Sequence, residues 1–172
     1  GVPPEKKGSC HNLLYEQVFH PLGIHESQVH LFDGMAKDVD MECRIMNGEI
    51  EHAGGIDCML VGIGLNGHIG FNEPGVDMEL RAHDQELHGS TLASGQLYFN
   101  EPTAIAKGIT LGMAQVMNAR TLLLLANGTS KAEIIHKACD GPVTNEIPAS
   151  YIQKHRHAVL MIDKEAASKL NK

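Results

Sequence analysis

IDCMLVGIG, residues 56–64, is a nearly continuous apolar run that ends in glycines. A run of this kind predicts a strand buried on both faces, as in a parallel sheet. Two similar runs follow, RTLLLLANG at 120–128 and HAVLMID at 157–163. Segments with helical spacing stand between them. The order therefore predicts one α/β domain, a three-layer α/β/α fold with a mostly parallel sheet covered on both faces.

The remaining segments are assigned from apolar spacing and from start and stop residues. Asp38 is a candidate N-cap and Gly54 lies just past the end of the same helix. The predicted helices cover 10–22, 38–54, 89–99, the second half of 104–119, 129–141 with Thr129 or Ser130 near its N-cap, 148–155 and 164–170. A short strand is predicted at 28–34 and an edge hairpin at 76–88.

Composition narrows the class of protein. The chain has 172 residues, 42% of them hydrophobic, which is enough for one domain with a real core. The net charge is −7 and no basic block occurs, which argues against a nucleic-acid or anionic-membrane surface. There is no Trp and no apolar run near 18 residues. We therefore expect neither a nucleic acid nor a membrane as partner.

The four cysteines, Cys10, Cys43, Cys58 and Cys139, are widely and irregularly spaced. None belongs to a C-x-x-C pair, so a disulfide scaffold and a zinc site are both poor interpretations. Reduced cysteines are typical of cytosolic proteins. The sequence therefore predicts a cytoplasmic protein.

The loop after the first run, GIGLNGHIGFNEPG at 62–75, concentrates the polar residues Asn66, His68, Asn72 and Glu73. Its G-x-G-x-x-G string is a weak dinucleotide fingerprint, because no helix can start within it. A metal site would need a third ligand. His68 could also simply cap the strand end while Glu73 is solvated. The fourth interpretation, an acid–base His with a carboxylate that orients it, fits a glycine-rich strand end best.

A second glycine-rich loop, ANGTSKAE at 126–133, follows the next strand. Both loops should open on the same edge of the sheet, where ligands of α/β domains bind. Lys131 stands at the start of a predicted helix, which is a suitable place for a phosphate. From spacing alone, a solvated helix lysine is the more common outcome.

The loop 62–75 resembles the signature of the glucosamine-6-phosphate deaminase/isomerase family, G-x-G-x-[DN]-G-H-I-[AG]-F-N-E-P. Related 6-phosphogluconolactonases keep the G-H but diverge at the FNEP block. The resemblance also covers GMAKDVDMECR (34–44), GITLGM (108–113), GTSKAEII (128–135) and GPVTNEIPAS (141–150). The last segment is similar to members described as galactosamine-6-phosphate isomerases.

The resemblance implies conversion of a 2-amino-2-deoxyhexose 6-phosphate to a ketose 6-phosphate with loss of ammonia, without a metal or organic cofactor. His68 would open the sugar ring, Glu73 would orient and charge-stabilise it, and Asn66 would orient by hydrogen bonds. Gly62 and Gly64 would let backbone groups face the sugar, and Lys131 would hold the phosphate. The partner is then a small sugar phosphate. A homo-oligomer and the glucosamine or galactosamine epimer stay open.

Two departures from the family pattern bear on this chain. Leu97 stands just before the YF pair, where members usually carry a basic residue that helps to grip the phosphate. The family also begins with a strand, a phosphate loop and the Asp that acts as enolisation base, and no segment here matches them. Residues 1–172 are therefore interpreted as the C-terminal two-thirds of a longer family domain, inactive and poorly soluble alone, with an exposed strand edge.

Two other functions remain open at this point. The same fold could bind a sugar phosphate without turnover, as a sensor, because fold alone does not decide activity. A hydrolase similar to 6-phosphogluconolactonase is the second alternative, against which the FNEP block argues. Ammonia release separates both from a deaminase.

Overall fold

A parallel sheet of three strands forms the centre of the fold in the computed structural model, which describes residues 1–171. The strands run in the spatial order β1–β4–β5, with bounds β1 Cys58–Gly62, β4 Thr121–Ala126 and β5 Ala158–Ile162. Leu60 of β1 lies beside Leu123 of β4, which in turn lies beside Val159 of β5. The three strands predicted from apolar runs and the mostly parallel sheet are confirmed.

The helices follow the predicted order. They are α1 Cys10–Leu14, α2 His20–Leu22, α3 Val39–His52, α4 Gly89–Gln96, α5 Met113–Asn118 and α6 Ala132–Asp140. A π-helical turn, Tyr15–Phe19, joins α1 to α2, and 3₁₀ turns cover Glu26–Gln28, Thr129–Lys131 and Pro148–Lys154. As predicted, Asp38 caps α3, since its Oδ1 accepts the backbone N–H of Met41 at 2.8 Å.

The core lies on one face of this sheet. Met59 of β1 and Leu122 and Leu124 of β4 point into it, and the two leucines are at most 1% exposed. They pack with side chains of α5, α6 and the 3₁₀ turn after α6, among them Met113 and Ile135, both fully buried. Alternate residues of a strand point to opposite faces, so the leucines of β4 at 123 and 125 belong to the other face.

That other face remains open to solvent in residues 1–171. Leu60, Val159 and Met161 are 64%, 45% and 54% exposed, although such residues are usually buried. The outer edge of β1 likewise pairs with no strand in the described part of the chain. The expected exposed strand edge is therefore confirmed, whereas the predicted cover on both faces is not seen.

A second, two-stranded sheet lies beside the loop 62–75. β2, His83–Glu86, pairs antiparallel with β3, Lys107–Thr110. The edge hairpin predicted within 76–88 is thus replaced by one strand that pairs with a distant partner. Asn47 of α3 ties the sheet to the helices: its Oδ1 accepts the N–H of Ala82 at 3.2 Å and the side-chain amide of Gln115 at 2.8 Å.

Three local predictions were wrong. Residues 28–34 form no strand, because no strand in the described residues pairs with them; the carbonyl of Phe32 contacts the His11 ring instead, at 2.9 Å. Residues 164–170 form consecutive turns rather than a helix. Neither Thr129 nor Ser130 caps α6, since the chain enters that helix through a 3₁₀ turn without a side-chain cap.

Candidate active site

The loop at the carboxyl end of β1 is a closed turn. The N–H of Gly64 donates to the carbonyl of His68 at 2.9 Å, and the N–H of Gly67 donates to the carbonyl of Gly64 at 3.0 Å. Gly67 has φ +89°, and a Cβ there would lie 2.7 Å from Cγ2 of Ile147. A side chain at that position would therefore be both strained and blocked.

The His68 ring lies directly on Gly64. A Cβ built at Gly64 would overlap the imidazole, meeting Cε1, Nδ1 and Nε2. That Gly64 lets backbone groups face the sugar stays a prediction. The structure shows a second reason for a glycine at this position. It provides the space in which the His68 ring is held.

Glu73 is a buried carboxylate with several donors around it. The residue is 4% exposed. Its Oε2 accepts the side-chain amide of Asn66 at 2.7 Å, and its Oε1 accepts the backbone N–H of His88 at 3.2 Å. Burial alone would raise the Glu73 pKa, but hydrogen bonds from Thr91, Asn66 and the His88 backbone outweigh it, so the pKa is lowered. Glu73 is thus ionised, and the alternative of a solvated carboxylate is wrong.

Asn66 connects His68 and Glu73. Its amide nitrogen donates to Glu73, and its Oδ1 accepts the backbone N–H of His68 at 3.2 Å. One side chain therefore fixes both the carboxylate and the backbone of the histidine. This geometry agrees with the orienting role expected for Asn66.

His68 faces Glu73 through Nδ1. The Nδ1–Oε2 distance is 3.5 Å, and the His68 side chain is 18% exposed. Burial, which is the largest effect, and the Lys131 charge lower the His68 pKa below its ordinary value, while Glu73 raises it. The balance is a lowered pKa, so the imidazole is neutral near pH 7 and can accept a proton.

Lys131 reaches the same loop from the start of α6. Its ammonium donates to the carbonyl of Ile63 at 2.6 Å, at the point where β1 passes into the loop. Burial lowers its pKa. The predicted meeting of the two glycine-rich loops at one sheet edge is therefore confirmed, and the solvated-lysine alternative is wrong. Whether this ammonium holds a phosphate stays a prediction.

Two further predicted positions lie in open surroundings. Gly62 ends β1 with no atom within 4 Å of a Cβ placed there. Leu97 follows α4 and is 86% exposed. Neither position contacts the His68–Glu73 pair through a hydrogen bond in the described residues.

Sequence reasoning missed one residue beside the His68–Glu73 pair and assigned no role to another. Thr91, on α4, places its hydroxyl 3.1 Å from Nδ1 of His68. Asn72 is fully buried and donates to the carbonyls of Ile69 and Leu111 at 2.8 and 2.9 Å, which pins the loop to the residue after β3. The sequence marks Asn72 as one of the polar residues of the loop, without a role, but nothing in the sequence near Thr91 points to His68.

The structure also bears on metal and nucleotide alternatives. Residues 63–82 contain turns and no helix, so the dinucleotide fingerprint lacks the helix that it needs. Across residues 1–171 there is no group of three or more His, Cys, Asp or Glu side chains arranged for a metal ion. No helix within that range is long and apolar enough to span a bilayer.

Comparison with known proteins decides the family. The family model described as glucosamine-6-phosphate isomerases/6-phosphogluconolactonase matches residues 1–161. The chain belongs to this family. It is 41% identical over 170 residues to the glucosamine-6-phosphate deaminase of Halothermothrix orenii, covering 98% of this chain and 70% of that protein. For the deaminase of a Thermoanaerobacter species the values are 38% over 169 residues, 98% and 67%.

Solved structures of family members agree with the fold. A structure described as a monomeric glucosamine-6-phosphate deaminase superposes with a TM-score of 0.94 at 33% identity, over 98% of this chain and 70% of that one. The 6-phosphogluconolactonase of Trypanosoma brucei gives 0.71 at 19% identity, over 99% and 71%. The second likeness shows the shared fold alone.

Proposed function

We propose that this protein is an amino-sugar-phosphate isomerase/deaminase. It converts glucosamine 6-phosphate, or the galactosamine epimer, to a ketose 6-phosphate and ammonia. The observation that carries the proposal is the neutral His68 held against the buried, ionised Glu73 at the end of β1. The glucosamine-6-phosphate deaminases that this protein resembles match it over nearly its whole chain, which supports the same reaction for this protein.

Ring opening needs one group that takes the proton of the anomeric hydroxyl and returns it to the ring oxygen. Because the pKa of His68 is lowered, its imidazole is neutral and can take the first proton. Glu73 stabilises the imidazolium that then forms. A proton then moves from C2 to C1, which converts the C1 aldehyde to an alcohol and leaves an imine at C2; water hydrolyses this imine to the ketone and releases ammonia. The hydrogen bonds of Asn66 keep His68 and Glu73 in the same relative position during these steps.

We assign the substrate contacts to the open side of the same edge. Gly62 and Gly64 would border the sugar, and the Lys131 ammonium would exchange its bond with the Ile63 carbonyl for the phosphate. An ion pair with phosphate is stronger than a bond to a neutral carbonyl, so the exchange is favourable. No step assigned here calls for a metal or organic cofactor.

The free cysteines indicate the cellular compartment of the protein. All four cysteines are free thiols, as is usual for cytosolic proteins, so we propose a cytoplasmic location. We further propose that residues 1–172 form a single α/β unit. The oligomeric state is left to measurement.

Ammonia release tests the proposal. The native polypeptide is incubated with glucosamine 6-phosphate and with galactosamine 6-phosphate. We expect ammonia from the native polypeptide, and a roughly 10²- to 10⁴-fold lower rate after His68→Gln, which is the usual contribution of general acid–base catalysis. Binding of an open-chain inhibitor should change little. Binding of either sugar phosphate without ammonia would indicate a sensor and refute the proposal.

A further inference from the structure

The Thr91 hydroxyl lies between the two members of the His68–Glu73 pair. Its Oγ1 is 3.1 Å from Nδ1 of His68, and the hydroxyl is near enough to the Glu73 carboxylate to help lower the pKa of that group. Thr91 is only 7% exposed. Its place in the first turn of α4 is fixed by the bond from its N–H to the His88 carbonyl, at 2.9 Å.

The distances favour an indirect connection over a direct one. Nδ1 of His68 is 3.5 Å from Oε2 of Glu73, which is longer than the 2.7–3.2 Å of an ordinary N–H···O hydrogen bond. The 3.1 Å separation from Thr91 Oγ1 falls within that range. The hydroxyl is therefore the better placed of the two neighbours to receive the Nδ1 proton.

Counting protons fixes the direction of each bond. A threonine hydroxyl has one proton to donate and can accept two hydrogen bonds. Glu73 is an ionised carboxylate shielded from water, and a charged acceptor attracts a donor more strongly than a neutral imidazole does. The hydroxyl thus donates to Glu73 and accepts from Nδ1–H of His68. The reverse direction would put the imidazole proton on Nε2.

We propose that Thr91 is a positioning residue that holds His68 in the tautomer with the proton on Nδ1. Nε2 then carries the free electron pair, and it has no hydrogen-bond partner within residues 1–171, so it is available to a substrate hydroxyl. The sequence offered no sign of this, because Thr91 lies 23 residues after His68 on a separate helix. The kinetic part of the proposal rests on the function proposed above; the tautomer does not.

The tautomer can be measured directly. In the native polypeptide, labelled with ¹⁵N, two-bond proton–nitrogen spectra distinguish a protonated from an unprotonated ring nitrogen, and His68→Gln identifies the His68 signals. We expect Nδ1–H in the wild type near neutral pH, a gain of the Nε2–H form in Thr91→Val, and the wild-type pattern in Thr91→Ser. Thr103→Val, whose hydroxyl contacts only the Glu101 carbonyl, is the matched control and should leave the His68 signals unchanged.

Kinetics provide the second measurement. Thr91→Val should lower kcat about ten- to hundredfold, the range for losing one hydrogen bond to a charged group, with little change in KM. Thr91→Ser should restore most of the rate. If wild-type His68 carries its proton on Nε2, the proposal is overturned without any variant. It is also overturned if Thr91→Val keeps the wild-type tautomer, or if Val and Ser variants lose the rate equally.

The two proposals fail separately. If the native polypeptide releases no ammonia, the deaminase function is refuted, while the spectra of the wild type and the Thr91 variants still decide what Thr91 does. If ammonia is released and the tautomer is independent of Thr91, only the positioning role is refuted.

Discussion

At the scale of single residues, the Gly64–His68 contact makes a specific demand on one glycine. Gly64→Ala would place its methyl group inside the imidazole, so the ring must move away from Glu73. We expect a loss of about 1–3 kcal/mol in the free energy of unfolding, as for other overpacked sites. Chemical denaturation measures it.

Gly62→Ala is the matched comparison, since nothing lies within 4 Å of a Cβ there. Its free energy of unfolding should change by less than about 1 kcal/mol. Equal losses in both variants would contradict the contact and indicate a general sensitivity of the β1 end.

The charge of Lys131 should be visible in the titration of His68. We expect the His68 midpoint below its ordinary 6.5, chiefly because of burial and also because the ammonium opposes a second positive charge. Lys131→Met should raise the midpoint. The folded pKa lies below the unfolded one, so protonation favours unfolding, and stability falls as the pH decreases through 6.5. NMR titration of the ring protons tests this; an unchanged or lower midpoint in Lys131→Met would contradict it.

Lys131 should also distinguish phosphorylated from free sugars. Lys131→Ala is expected to weaken binding of the sugar phosphate by about 1.5–3 kcal/mol, which is typical of a charge-assisted hydrogen bond. Binding of glucosamine should not change. Lys137→Ala is the control, because Lys137 lies further along the chain in α6, is half-exposed and pairs with Glu133. Calorimetry that showed equal losses for both sugars would mean damage to the fold.

At the scale of elements, the segment 143–150 is hydrogen-bonded to the loop 62–75 at two points. The N–H of Ala149 donates to the Gly67 carbonyl at 2.9 Å, and the N–H of Gly75 donates to the Asn145 carbonyl at 2.9 Å. Both ends of the stretch from Gly67 to Gly75, which includes His68 and Glu73, are therefore fixed by one neighbouring segment.

Ser150 keeps that segment in shape. It is fully buried, and its hydroxyl accepts the N–H of Thr144 and donates to the Thr144 carbonyl, at 2.9 and 3.0 Å. Ser150→Ala leaves both groups without this partner and should cost about 1–3 kcal/mol of unfolding free energy. Ser168→Ala, which removes an exposed bond to the Glu165 carbonyl, should cost less than about 0.5 kcal/mol. Thermal or urea unfolding gives both values, and similar losses would contradict the role.

The elements also show what a sequence can predict. β1 and the residues of its loop were predictable because a continuous apolar run, glycines and polar residues stand within 20 positions of one another. Thr91 was not, since its contact with His68 arises only when α4 packs against the loop. The strand predicted at 28–34 failed for a related reason: a strand needs a neighbour, and its neighbour is not visible in its own residues.

At the scale of the whole molecule, one face of the three-stranded sheet is open to solvent, although a closed fold would cover it. Apolar side chains on it, including Leu60 and Met161, are more than half exposed. Such a face favours association with another apolar surface. Residues 1–172 should therefore self-associate when purified, and Leu60→Lys with Met161→Lys should reduce this. Leu97→Lys, which changes the more exposed Leu97 after α4, should have a smaller effect.

Sedimentation velocity at several concentrations measures the association. A monomeric wild type would contradict the prediction, as would an equal response to the Leu97 control. The measurement is independent of catalysis, since neither Leu60 nor Met161 belongs to the proposed site.

Within residues 1–171, β1 pairs with β4 alone, and this affects how the protein exchanges its amide protons. A strand hydrogen-bonds to its neighbours through alternate residues, so about half of the β1 amides point to the unpaired edge and should take up deuterium early. β4 has a partner on each side and should exchange last. The loop that contains His68 therefore follows β1, which is less protected than β4. This loop is hydrogen-bonded to the segment 143–150, so the rate of deuterium uptake in Gly64–Glu73 should resemble the rate in that segment rather than the rate in β1.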